Sequence, residues 1–113
     1  MIYNERLPFQ PSAETPTTID DTLVERGAVH GNFKDNASVA QDLKRVINTA
    51  LNARMMRGQG PIRNIHLEAL DLIATKISRI LSGDAEYSDH WHDIQGYARL
   101  AEKACGTDPN AVG

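Results

Sequence analysis

Between Asn64 and Cys105 the chain carries two amphipathic helical patterns separated by a short turn-forming stretch, a combination that leaves a helical pair as the natural fold of the segment. In the first pattern Leu70, Ile73, Ala74, Ile77, Ile80 and Leu81 recur on one broad apolar face. Glu68, Asp71, Thr75, Ser78 and Arg79 fall on the other. In the second, Ile94, Tyr97, Ala98, Leu100, Ala101, Ala104 and Cys105 mark the side expected to be buried, with Gly83 closing the first helix and Asp89 capping the second. Asp93 falls inside that apolar arc. A buried carboxylate with no partner costs several kcal/mol or takes up a proton, so a compensating group is required: a cation, a metal, or the N–H groups of the first helical turn.

Upstream, Thr18 is placed to cap a short helix running through Val24 or a little beyond, with Asp21 completing an approximate capping box. Gly27 and Gly31 then punctuate an expected loop with Phe33 as its anchor. Asn36 or Asp35 caps a helix over 37–55, striped by Val39, Leu43, Val46, Ile47, Ala50 and Leu51. Gly58, Gly60 and Pro61 break that pattern, and Arg54, Arg57 and Arg63 around the break are either solvated or line a mouth for an anionic ligand. No stretch reads as a strand. The expected class is all-α, a helical bundle of three to four main helices over 18–105, with an extended N-terminal arm over 1–17 and a flexible tail over 106–113.

A net charge of -3 without any Lys/Arg cluster argues against non-specific binding to nucleic acid or acidic membranes. One cysteine gives no intramolecular disulfide and fits a reducing compartment. With no apolar run of membrane-spanning length, the expected setting is the cytoplasm. Aromatic residues make up only 5% of the chain, so Leu, Ile, Val and Ala must supply the core. That shortage, together with apolar Ile2, Tyr3, Leu7 and Phe9 in the arm, suggests a homodimer with a four-helix interface.

Glu68 and Asp71 form an E-x-x-D pair, and His90 and Asp93 an H-x-x-D pair, on what should be antiparallel neighbours. Carboxylates converging from facing helices suit a hard cation such as Mg²⁺, which keeps waters for substrate phosphates. Lys76 and Arg79, one or two turns along, are placed to contact phosphate oxygens. The plainer alternative has Glu68 in solvent, Asp71 paired with Lys76 or Arg79, and Asp93 in the first turn for helix-dipole reasons. His30, His66, His90 and His92 lack the spacing of a zinc site. Cys105 reads as a small core residue, and Trp91 and Tyr97 as packing groups or as surfaces for stacking a base.

ERGAVHGNF before a long helix, then EALDLIATKISRILSGD, then DHWHDIQGYARLAEK, resembles a small all-α domain of phage and prophage genomes that is similar to the MazG-like nucleotide pyrophosphohydrolases. The match runs from about residue 25 to 104, and its most specific part is K-I-x-R-I followed by D-x-W-x-D-I-x-G-Y-A. The resemblance implies Mg²⁺ or Mn²⁺ held by Glu68, Asp71, His90 and Asp93, with Glu68, Asp71 and Asp93 as the catalytic carboxylates splitting a nucleoside triphosphate into monophosphate and pyrophosphate. Asp71 and His90 depart from the E-x-x-E and E-x-x-D motifs of that family. The His removes a charge and a hard oxygen ligand, so metal affinity falls and nucleotide binding without hydrolysis becomes a distinct expectation. The competing expectation is a non-enzymatic phage protein that binds and inhibits a host defence protein through a charged helical face or its N-terminal arm.

Overall fold

A computed structural model of the chain describes residues 18–107, so the expected arm and most of the expected tail lie outside the described residues. Four α-helices follow one another: α1 (Ile19–His30), α2 (Phe33–Met56), α3 (Asn64–Ser82) and α4 (Ser88–Ala104). Helix α3 is the hub. It packs against α2 on one side and α4 on the other, and α1 also rests on it. None of the described helices is long and apolar enough to cross a membrane.

Helix α1 begins as the sequence suggests, with the Asp21 N–H donating to Thr18 Oγ1 at 3.0 Å and Asp20 and Asp21 in the positively polarised first turn. It does not stop near Val24. Gly27 is absorbed into the helix, and the break falls at Gly31, whose φ of 84° ends it. The expected loop shrinks to two residues. Asn32, rather than Asp35 or Asn36, then caps α2: its Oδ1 accepts from the Asp35 N–H at 2.9 Å, and its Nδ2 donates to Asp35 Oδ2 at 2.8 Å. Phe33, expected as a loop anchor, starts α2 and stands in solvent. Helix α4 likewise starts earlier than Asp89, with Tyr87 at its N-cap position.

The short α1–α2 link is pressed directly onto the end of α3. The Asp84 N–H donates to Val29 O at 2.8 Å, and a Cβ on Gly31 would collide with Ser82 backbone while one on Gly83 would collide with the backbone of Val29, His30 and Gly31. Asn36 braces the same corner, donating to His30 O at 2.6 Å and accepting from Ser78 Oγ at 3.2 Å. At the opposite end the Arg63 guanidinium donates to Ala104 O and Thr107 Oγ1, and His66 Nε2 donates to Ala101 O at 3.0 Å, fixing α3 and α4 antiparallel.

The apolar core is small. Among the described residues Ala40, Ala69, Ala74 and Ile80 are the buried hydrophobic side chains, and the two most completely buried side chains of all are polar, Ser78 and His90.

Candidate functional site

His90 lies where α1, α3 and α4 meet, and Ser78 faces α2. His90, in the first turn of α4, is 1% exposed, and its Nε2 lies 3.0 Å from Nδ1 of His30 at the end of α1. The Tyr87 ring packs edge-on against both imidazoles, with centroid distances of 5.6 Å to His30 and 4.9 Å to His90. A His–His hydrogen bond needs one protonated and one bare nitrogen, so the accepting ring is neutral, and burial favours the neutral form of both. Among the described residues His90 Nδ1 has no hydrogen-bond partner, a loss that costs about 1–3 kcal/mol for a buried polar atom.

Beside this pair stands the one ion pair that joins two helices among the described residues. Lys76 Nζ on α3 lies 2.7 Å from Asp93 Oδ2 on α4, with the Lys76 side chain 14% and the Asp93 side chain 39% exposed. The carboxylate that looked out of place in the sequence therefore has a cation as its partner, and it is half-buried rather than buried. The hydrogen bond from Lys76 holds the Asp93 carboxyl below the ordinary carboxylate range.

Charge also reaches the imidazoles. Burial, the His90 ring and then the cations Arg26, Arg79 and Lys76 push His30 down to about 4. Burial followed by Lys76 and Arg79 pushes His90 down as well, against the opposing pull of Asp93 and Asp89. Lys76 and Arg79 from α3 thus act on both imidazoles, and Arg26 from α1 on His30. Arg79 has no acidic partner among the described residues.

The expected metal quartet is not gathered. Glu68 is exposed, Asp71 half-buried and His90 fully buried against His30. No group of three or more His, Cys, Asp or Glu side chains among the described residues is arranged to hold a metal ion. Helical rotation gives the reason. Asp71 is five residues from Lys76, about 140° around the helix, which turns it away from α4 and toward the side on which Ser78 meets α2. Glu68 is about 80° from Lys76 and points to solvent. An i, i+3 pair on α3 does not reach a pair on α4 when only one edge of α3 faces that helix.

Other expected positions also sort out by geometry. Arg54 donates to Gly60 O at 2.9 Å, Arg57 to Gln59 Oε1 at 2.7 Å and Arg63 to the end of α4, so the three arginines fix the chain's own connections. Cys105, expected in the core, is exposed, with its Sγ 3.6 Å from His66 Nε2. Trp91 is half-exposed and donates to Ala85 O at 2.9 Å. A shallow open depression of about 740 Å³ near Trp91, lined by Glu86, Asp89, His92 and Gln95 among others, lies outside the cationic cluster. His30, Tyr87 and Arg26 were not singled out by the helical patterns. A His directly before the helix-ending Gly31 was the one available hint, because a residue at a tight corner is presented to whatever the corner packs on.

Comparison with family profiles, curated proteins and solved structures finds no match to this chain.

Proposed function

We propose that this is a MazG-like helical domain that binds a phosphate-bearing ligand of the nucleotide class at the α1–α3–α4 junction, without a metal centre and without hydrolysis. The observation that carries the reading is the placement of Lys76 and Arg79, one turn apart on α3, beside the His30–His90 hydrogen bond, with Arg79 in no ion pair among the described residues. A planar guanidinium with no acidic partner is suited to bidentate contact with phosphate oxygens. Lys76 adds a point charge whose position is set by Asp93. In this reading Asp93 is a positioning residue for Lys76, and Glu68, Asp71 and His90 are released from the roles that the family motif would give them. The two neutral imidazoles sit next to where the anion would lie, and a bound anion favours their protonation, so affinity rises as pH falls. A cytoplasmic setting, where nucleotides are abundant, fits this use.

A panel of nucleoside mono-, di- and triphosphates, with Mg²⁺ and with chelator, tests the reading by thermal shift and by pyrophosphate release. The expected result is a ligand-dependent stabilisation that survives chelation and disappears in Arg79→Ala, with no pyrophosphate formed. Mg²⁺-dependent pyrophosphate release abolished by Glu68→Ala would instead establish the enzymatic version. Absence of any ligand effect would favour the reading as an inhibitor of a host protein.

A further inference from the structure

The outer side of α4 carries a feature that the junction does not use. Ser88, Trp91, His92 and Gln95 follow one another at i, i+3, i+4 and i+7, so they share one stripe of the helix. His90, two residues on from Ser88, lies about 200° around and is buried instead. Ala85 and Glu86, in the turn before α4, join Asp89 and this stripe in lining the open depression of about 740 Å³. A second depression shares His92 and Gln95 and runs on past Gly96 to Glu102. A Cβ on Gly96 would meet nothing within 4 Å, so the two form one open groove along α4.

Trp91 is the sole tryptophan of the chain and is 51% exposed. Its Nε1–H donates to Ala85 O at 2.9 Å, which clamps the indole and leaves half of it as a wall of the depression. A ring held in this way loses little freedom when something stacks on it. Glu86 and Asp89 line the same depression, both exposed and neither in an ion pair among the described residues. Asp84, another acid of that turn, is committed to the Glu86 N–H. Arg99, the one Lys or Arg that lines either depression, is already paired with Glu102 at the far end. The near end of the groove therefore offers an aromatic surface and two carboxylates without a cation.

We infer that this end of the groove is a docking site for an arginine side chain of a partner protein, stacked on Trp91 and paired with Glu86 and Asp89. A cation over an indole is attracted by the ring quadrupole, and tryptophan is the best of the aromatic side chains for this. The guanidinium fits better than other cations. It is planar, so it stacks on the ring while its N–H fork reaches a carboxylate at the rim. A lysine ammonium is held more strongly by water and gains less in an open site. A quaternary ammonium calls for a cage of several rings, whereas the Tyr87 ring is turned onto His30 and His90. The depression lies within the range of about 300–1,000 Å³ typical of ligand clefts and continues along α4, which leaves room for the chain on either side of the arginine. A net charge of -3 favours the approach of a basic partner. The inference stands independently of the phosphate proposal, since it uses none of the same side chains.

The single indole makes the test direct. A capped Gly-Arg-Gly peptide, titrated into the full chain at low salt, should quench Trp91 fluorescence and shift its indole N–H resonance in a saturable way. The citrulline counterpart, which keeps the planar shape without the charge, should do neither. The lysine counterpart should bind at least about 3-fold more weakly. Glu86→Gln with Asp89→Asn, at two exposed positions, should weaken the arginine peptide by about 3- to 10-fold while the circular dichroism is unchanged. Trp91→Ala, followed by calorimetry, should weaken it by about 3-fold or more. Asp42→Asn, which removes an exposed carboxylate on α2, should leave binding as it is. No saturable change at millimolar peptide, an equal response to citrulline or lysine, or indifference to the two carboxylates would each overturn the inference. If Arg6→Gln alone moves the indole resonance, the occupant is the chain's own N-terminal segment and the assignment to a partner protein falls.

Discussion

The junction of α1, α3 and α4 and the apolar face of the α2–α3–α4 layer reverse the usual placement of polar and apolar groups. At the junction His90 and Lys76 are the groups taken out of water, each held by a specific partner. On the face Val46 and Leu81 are mostly exposed and Leu70 partly so. The contrast teaches that this small fold is fixed in register by polar contacts at one corner and by backbone crowding at the two glycines. Polar burial of this kind is costly and specific, and it places Arg79 and Lys76 beside each other. Apolar exposure is costly and unspecific.

Substitutions at the two regions should therefore behave differently, and the largest effect on the isolated chain is expected at the glycine crossing. Gly83→Ala puts a methyl group against the backbone of Val29, His30 and Gly31, none of which can rotate away. A loss of about 1–3 kcal/mol or more in chemical denaturation is expected, as for overpacking of a tight interior. A smaller loss, or none, would mean that the corner is not a close contact in solution.

Acid should come next. His30 titrates at about 4 in the folded chain and near its ordinary value of 6.5 when unfolded, so the unfolded state binds the extra proton. Stability is fully present above about pH 6.5 and declines as pH falls toward 4, with the Asp93 contribution lost only below the ordinary carboxylate range. His30→Gln should flatten the decline between pH 6.5 and 4 while leaving the lower limb. An unchanged pH profile in that variant would remove the imidazole pair from the account.

The Lys76–Asp93 pair should sit lower in the ranking because Asp93 remains in contact with water. Asp93→Asn leaves a largely buried ammonium without its partner and should lower the thermal midpoint. Adding Lys76→Met should recover most of the loss, since the stranded charge is then gone. Additive losses in the double variant would show that the two side chains are not coupled. The smallest of these effects is expected at Asn32→Ala, about 1 kcal/mol for a lost helix cap.

Helical periodicity revealed the all-α class, the amphipathic stripes of α2 and α3, the Thr18 cap and the stop at Gly83, because each depends on neighbours within a turn or two. It also flagged Asp93 as a carboxylate in need of a compensating group, whether cation, metal or first-turn N–H groups, and Lys76 is the cation it meets. What it could not resolve were boundaries decided by packing. Gly27 stays helical because the break is set four residues later by the contact of Gly31 with Ser82, a residue of another helix. The metal quartet failed to assemble for a related reason. Spacing places Glu68 and Asp71 on one face of α3, and only the pairing of helices decides that the face looks away from α4. The His30–His90 contact joins residues sixty positions apart, which no local pattern encodes.

The most direct test of the central claim is calorimetric titration of the full chain with a nucleoside triphosphate and with inorganic pyrophosphate, in chelator, alongside Arg79→Ala. The account predicts binding without metal, tighter at pH 5 than at pH 7, and lost in Arg79→Ala while the helical circular dichroism signal is retained. Binding that requires Mg²⁺ and survives Arg79→Ala would contradict it.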